Sequence, residues 1–260
     1  QLRELNFTLN RRGGEVETRY DYQTNSHNIA KNWYFTSSNA YGTPASDVGN
    51  YIKTAFDARA DVMVAVPTIG WMPKPGTHSF SQTKYGLQTS NEPYGNGDAG
   101  IGILQLDAAG NVIPYNPATA AADRAANAGN PTATLTPFHP DPRFRSDRTD
   151  ANYLPANPLA YQSGYIDTLI SQWGLAANGG VRFYTLDNEP GLWDYIHRDV
   201  RGDANVTKED IRDYIVSYGN MIRDRDPAAQ ILAPSEWGWA EADDYYPWLL
   251  AQLQANDTAT

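Results

Sequence analysis

Hydrophobic and polar positions alternate between two rhythms along this chain, and the alternation predicts an α/β fold. Residues 46–60 place Val48, Ile52, Ala55 and Phe56 at helical spacing, so a helix with one buried stripe is expected there. Residues 61–67 then run almost wholly apolar, as a strand buried on both faces does. The second half repeats the order. Residues 181–186 form a short β-prone run followed by a polar loop. A helix is predicted from Thr207, a capping residue with Asp210 three positions on. Ile211, Tyr214, Ile215, Tyr218 and Ile222 form its buried stripe, and Pro227 ends it. Residues 230–233 read as the next strand, 234–243 as a loop and 244–255 as a further amphipathic helix.

Strands alternating with helices imply a parallel sheet with crossover connections. Parallel strands that empty into large loops on one side fit a (β/α)8 TIM barrel, whose active sites sit at the carboxyl ends of the strands. Four or five strand–helix units are countable where a barrel needs eight. The expectation is therefore one catalytic barrel of which residues 1–260 form an incomplete, amino-terminal part, with an open α/β sheet as the alternative. Residues 68–155, rich in Gly, Pro, Asn and Thr, are too long for a plain connection and are expected to be a cleft-forming insertion. Inside it, residues 101–105 and 112–115 flank Asp107-Ala108-Ala109-Gly110-Asn111, a hairpin signal.

Composition narrows the partners. A chain of 260 residues can bury one substantial core, and no run of eighteen apolar residues suggests a membrane span. With 20 basic against 30 acidic residues and no basic stripe, a nucleic-acid partner is not expected. The absence of Cys excludes disulfide scaffolds and thiolate metal centres. His27, His78, His139 and His197 lack metal-ligand spacing, so no catalytic metal or other cofactor is expected. Seven Trp and seventeen Tyr are many for this length; most fill core, but flat rings also cover the C–H faces of sugars.

The strongest candidate chemistry is Asp187-Asn188-Glu189-Pro190, reached from the apolar residues 183–186, so that Glu189 stands where a strand empties into a loop. Retaining glycosidic cleavage needs one carboxylic acid to protonate the leaving oxygen and a second carboxylate ~5–5.5 Å away to attack the anomeric carbon. Burial and a neighbouring anion raise the pKa of such an acid, and an Asn beside it can hydrogen-bond the sugar 2-hydroxyl. The tripeptide alone is not specific: Asn91-Glu92-Pro93 repeats it in mid-loop, with no strand to aim it. Gly95, Gly97 and Gly100 match a dinucleotide-binding pattern but neither follow a strand nor open a helix. Trp71, Trp193, Trp237 and Trp239 follow strands and are candidates for stacking on sugar, with core packing an equal reading; Trp33 is a further candidate. Trp173 and Trp248 fall on helices and read as core. Glu236 either lines the cleft or pairs with an Arg. Asp98, near Asp107 and Glu92, is a candidate ligand for a structural calcium, weighed against a solvated loop carboxylate.

The run from Gly180 through Leu186-Asp187-Asn188-Glu189-Pro190 to Trp193, followed by His197 and Asp199-Val200, resembles the acid/base segment of glycoside hydrolase family 44. Four other segments are similar to that family in the same order. They are Gly13-Gly14 to Tyr20 with Trp33-Tyr34-Phe35; Pro67 to Gly70-Trp71; Lys84-Tyr85-Gly86 with Asp98-Ala99-Gly100; and Pro234-Ser235-Glu236-Trp237-Gly238-Trp239. The resemblance implies a secreted, monomeric retaining endo-β-1,4-glucanase acting on cellulose-like or xyloglucan-type polysaccharide, in a barrel with an attached β-sandwich domain. Glu189 falls on the acid/base and Asn188 on the Asn before it. The nucleophile is implied to be a Glu more than a hundred residues further on, outside these 260. A xylanase, a mannanase, or a carbohydrate-binding protein without turnover remains the alternative. Two departures stand out: Glu15 follows Gly13-Gly14 where the family usually has Asn, and the chain begins without the family's first strand.

Overall fold

The computed structural model describes residues 7–39, 42–76, 80–81, 99–100, 109, 152–201, 206–236 and 240–257. Among these, the strands in chain order are β1 Leu9–Arg12, β2 Ser26–Asn28, β3 Ser37–Asn39, β4 Asp61–Val66, β5 Met72–Pro73, β6 Phe80–Ser81, β7 Ala99–Gly100, β8 Asn152–Tyr153, β9 Phe183–Leu186 and β10 Gln230–Leu232. The main sheet has four strands in the order β1-β4-β9-β10, all parallel. Arg12 pairs with Val64, Val66 with Leu186, and Leu232 with Thr185. The carboxyl ends of all four strands therefore open on one edge of the sheet.

The α/β expectation holds. The helix Ser46–Asp57 leads into β4, Pro158–Trp173 precedes β9, and Lys208–Arg225 connects β9 to β10. Together they cover one face of the sheet. Ile52, Ile166, Leu169 and Ile222 meet Val62, Val64, Val66, Tyr184 and Leu186 in one buried cluster. Fully burying an aliphatic side chain of this kind contributes about 1.5–3 kcal/mol. On β4 the other face is buried as well, through Met63 and Ala65, which accounts for its unbroken apolar run.

Several boundaries differ from the sequence reading. The Ser46–Asp57 helix stops three residues early, where the Ala58 N–H closes back on Thr54 and Ala55 and Arg59 turns left-handed at φ 63°. The final helix begins at Ala240 rather than 244, since Ala240, Glu241 and Ala242 are good helix formers. The structure adds a strand at the amino terminus that the sequence reading did not mark: β1 lies parallel to β4 at the edge of the described sheet. Its residues are only alternately half-buried, so it carries no apolar run that would announce it.

The Lys208–Arg225 helix starts as expected. Thr207 Oγ1 accepts from the Asp210 N–H at 3.1 Å, and the Asp210 carboxylate accepts from the Thr207 N–H at 2.9 Å. Donation from the Thr207 N–H, and from its hydroxyl at 2.8 Å, lowers the pKa of the Asp210 carboxyl. Thr207→Ala is expected to lower stability by about 1 kcal/mol, read as an earlier urea midpoint with an unchanged slope.

The segment 68–155 is pinned near both of its ends, because β5 pairs antiparallel with β8. A second short pair joins β6 to β7. The hairpin expected over 101–105 and 112–115, like Glu92, lies outside the described residues.

Candidate functional site

The site is assembled where four parallel strands end, and each exit contributes a group. From β9 comes Asp187, whose backbone N–H donates to the Val66 carbonyl at 3.0 Å and so continues the ladder to β4. Its carboxylate then turns back across the same boundary. Oδ2 accepts from the Thr68 N–H at 2.5 Å, the Thr68 hydroxyl at 3.1 Å and the Ile69 N–H at 3.2 Å. Oδ1 accepts from the Asn188 N–H at 2.8 Å. Complete burial pushes the Asp187 carboxyl up to about 6 even though these donors pull it down. Asp187 thus fastens two strand exits to each other.

Asp187 and Glu189 both adopt left-handed backbone, at φ 61° and 47°, on either side of Asn188. That conformation is unfavourable for side chains beyond Cβ and persists only where its surroundings hold it. The restraint comes from β10: the Glu189 N–H donates to the Ser235 carbonyl at 2.7 Å, and Glu236 Oε2 accepts from the Gly191 N–H at 3.1 Å. From β1, the Arg11 guanidinium donates to Asn188 Oδ1 at 3.3 Å and to Ser235 Oγ at 3.0 Å. The resulting double turn presents the half-buried Glu189 side chain beyond the strand ends.

A second carboxyl stands beside it. After β1 the chain passes Gly13-Gly14 into a single helical turn, Glu15–Thr18. Gly14 sits at φ 109°, where a side chain would be strained, and this sharp turn swings Glu15 over the site. Asn188 Nδ2 donates to both acids, to Glu189 Oε2 at 3.1 Å and to Glu15 Oε1 at 3.4 Å. The two carboxyls stand close enough to interact directly, a contact that needs one of them protonated, and Glu15 raises the Glu189 pKa. Burial, that contact and the Glu15 charge push Glu189 up to about 7, against the pull of Asn188 and Arg11.

His197 lies behind Glu15, with Nε2 at 3.1 Å from Glu15 Oε2. It is fully buried, and burial together with Arg19 holds its pKa well below the ordinary histidine value. The ring is therefore neutral, and with its proton on Nε2 it donates to Glu15. Arg19 anchors the far side through buried hydrogen bonds to Asp199 at 2.5 Å, Asn28 at 2.5 Å and Asn152 at 3.1 Å.

The structure brings together Asn188, Glu189 and Glu236 among the expected site residues and separates others from the cleft. Trp193 is 0% exposed, packed with Ile69 and Val200 and against Tyr214 at a 5.6 Å ring separation. It offers no face to a sugar, and its expected stacking role is corrected to a core role. The reason is local: Pro190–Leu192 forms a 3-10 turn that carries Trp193 inward under the loop. Trp71 is half-buried against that same cluster. Trp33 ends the turn Ala30–Trp33 and sits edge-on to Tyr34 at 5.3 Å. Trp173 packs edge-on to Phe56 at 5.6 Å, as a core ring should, and Trp248 lies half-buried under the Lys208 ammonium at 4.6 Å. Trp237, Trp239 and Asp98 fall outside the described residues. Among the described residues, no cluster of three His, Asp or Glu side chains could hold a metal ion.

Arg11, Asp187 and Ser235 escape the sequence reading, because their roles come from being neighbours across strand exits rather than along the chain. Glu15 carried one signal, the acidic residue standing after Gly13-Gly14.

A sheet of parallel strands with a paired-carboxyl site at its carboxyl edge defines the setting of a glycosidase. The family model of glycoside hydrolase family 44 matches residues 26–259. The chain belongs to glycoside hydrolase family 44. It is 33% identical to the crystal structure of CelM2, a bifunctional glucanase-xylanase protein from a metagenome library, with a TM-score of 0.77 over 99% of this chain and 49% of that one. A Paenibacillus polymyxa xyloglucanase of the same family, solved with xyloglucan, shares the fold at 19% identity and a TM-score of 0.59, over 92% of this chain and 40% of that one. A segment of 82 residues, 31% of this chain and 6% of the relative, is 29% identical to beta-mannanase/endoglucanase A of Caldicellulosiruptor saccharolyticus. The chain thus spans about half the length of CelM2 and far less of the mannanase/endoglucanase.

Proposed function

We propose that this chain is the acid/base-bearing part of a secreted retaining endo-β-1,4-glucanase, built as part of a (β/α)8 barrel and acting on cellulose-like or xyloglucan-type polysaccharide. The observation that carries the reading is the Glu189 carboxyl. It projects from a parallel strand's carboxyl end beside Asn188 and stays protonated up to about pH 7. In the first step Glu189 gives its proton to the departing glycosidic oxygen as the anomeric carbon–oxygen bond breaks and a carboxylate nucleophile bonds that carbon. In the second, Glu189 takes a proton from water as the water oxygen displaces the nucleophile. Glu15 is not that nucleophile. It hydrogen-bonds Glu189 directly, whereas attack from the opposite face of the sugar needs carboxyls ~5–5.5 Å apart. The nucleophile is assigned to a Glu outside these 260 residues. No cofactor enters either step.

Likeness to the glucanase-xylanase CelM2 supports xylan as a second substrate. The test is a polysaccharide panel with the full-length protein: xyloglucan, mixed-linkage β-glucan, carboxymethylcellulose, xylan and mannan. Reducing ends should appear fastest on a β-glucan, and proton NMR of early products should show the β-anomer first. An α-anomer appearing first would exclude retention. Binding of oligosaccharide in calorimetry with no reducing ends released would make the protein a binding module instead.

A further inference from the structure

Glu15 is the residue for which neither the strand-exit rule nor the two-carboxylate mechanism has a use. It is nevertheless well bonded, and it interacts with Glu189 directly. Three groups able to donate converge on it: Asn188 Nδ2 at 3.4 Å, His197 Nε2 at 3.1 Å and the Glu189 carboxyl. A carboxylate has lone pairs for all three, whereas a neutral carboxyl would have to turn its own proton toward one of them. The donors thus favour Glu15 as the ionised member of the pair.

We propose that Glu15 is a positioning residue for the acid/base: its carboxylate, seated between Asn188 and His197, accepts the Glu189 proton in the resting site and holds that carboxyl protonated until a glycosidic oxygen replaces Glu15 as the acceptor. The inference rests on the acid/base reading of Glu189 and goes beyond it by assigning how the proton is kept.

The step balances without any further reagent. At rest the pair carries one proton and one negative charge. When Glu189 releases its proton to the leaving oxygen, two carboxylates face each other across the Asn188 amide. Their repulsion makes Glu189 a stronger base for the water that follows. Water returns the proton, and the pair is restored to its resting charge. His197 makes this workable, because a buried neutral imidazole supplies a hydrogen bond to Glu15 without a positive charge that would drain the effect.

The groups that face the pair come from every surrounding element described. Arg11 on β1 acts on Glu189, and Arg19 at the end of the Glu15–Thr18 turn acts on Glu15; both favour the ionised forms. Asp187 precedes Asn188 in the same turn, and Glu236 beyond β10 is engaged with the Gly191 N–H. Asp199 lies behind His197 and is paired with Arg19. Among the described residues only Glu15 acts on the Glu189 carboxyl as a neighbouring acid, and removing its charge leaves the other groups in place. Proton sharing of this kind splits two like carboxyls into an early and a late titration.

The experiment is the pH profile of kcat/KM on xyloglucan for the full-length enzyme and its Glu15→Gln variant. The Gln amide keeps the size of the side chain and can still bond Asn188 and His197. The basic limb should move down by about one pH unit or more, and kcat at pH 7 should fall roughly tenfold further than kcat at pH 5. Equal losses at both pH values, as a merely structural role gives, would overturn the proposal, as would an unmoved limb. Should Glu15→Gln fail to fold, carbon-13 titration of Glu carboxyls in the unmodified enzyme decides the matter. The signal lost in Glu189→Gln should titrate near neutrality, together with a second, coupled carboxyl. A single step in the ordinary carboxylate range overturns the idea. The two readings fail separately. Unimpaired glucan hydrolysis by Glu189→Gln removes the acid/base assignment itself, whereas an inactive Glu189→Gln with an unmoved Glu15→Gln profile removes only the role of Glu15.

Discussion

Glu189→Gln in the full-length enzyme is expected to slow hydrolysis of unactivated glucan by about 10²–10⁴-fold, the range that general acid–base groups supply. The substitution is nearly isosteric. It keeps an oxygen for the Asn188 amide and leaves the backbone anchor to Ser235 untouched, so the double turn should survive. What disappears is the transferable proton. A dinitrophenyl β-cellobioside needs no such proton, because dinitrophenolate leaves unaided. The variant should release a rapid burst of dinitrophenol and then stall at the glycosyl-enzyme, which lacks a base to activate water. Azide, which attacks without a base, should restore turnover and yield a β-glycosyl azide. Glucan hydrolysis within tenfold of the parent enzyme would refute the assignment.

The second large effect concerns stability. Arg19 is buried against Asp199, and the same guanidinium reaches Asn28 and Asn152. Removing one member of a buried, hydrogen-bonded ion pair strands the other charge and typically destabilises by about 3–5 kcal/mol. In Arg19→Met, Asp199 would keep only the Asn152 amide, at 3.2 Å, among the contacts described. For a protein of this size or larger that predicts a midpoint of thermal unfolding lower by roughly 10 °C. Arg19→Met/Asp199→Leu should recover most of the loss, because it removes both charges rather than one. A single variant that unfolds within 2 °C of the parent, roughly 1 kcal/mol, would show that the pair is not holding this region together. Arg19 directly follows the Glu15–Thr18 turn, so its loss should also loosen the seat of Glu15.

The fold was legible in the sequence wherever one element carries its own period. Val48, Ile52 and Ala55 marked their helix, the unbroken apolar run marked β4, and Thr207 with Asp210 marked the start of a third element to within a residue. β1 was not legible, because an edge strand of alternating exposure looks like any polar segment. Of the site, Glu189 and Asn188 could be found because a strand visibly precedes them. Trp193 was misplaced because position after a strand does not say which way a loop turns, and here the turn at Pro190–Leu192 carries the ring inward. The roles of Arg11, Asp187 and Ser235 were invisible for another reason. Arg11 and Ser235 lie 224 positions apart in sequence and touch only once the sheet exists.

That separation has a consequence for recovery from denaturation. The double turn at Asp187–Glu189 is held by Val66 and Thr68 on one side and by Ser235 on the other, while Arg11 reaches it from the first strand. A slip of β9 by one residue against β4 would turn the Asp187 carboxylate away from Thr68 and bring a neighbouring side chain into its place. Helices can regain their spectroscopic signal from local contacts alone, well before such distant pairings form. In a renaturing population, returning catalysis would therefore count the molecules whose strands have found a common alignment, and it should lag behind the return of helical ellipticity.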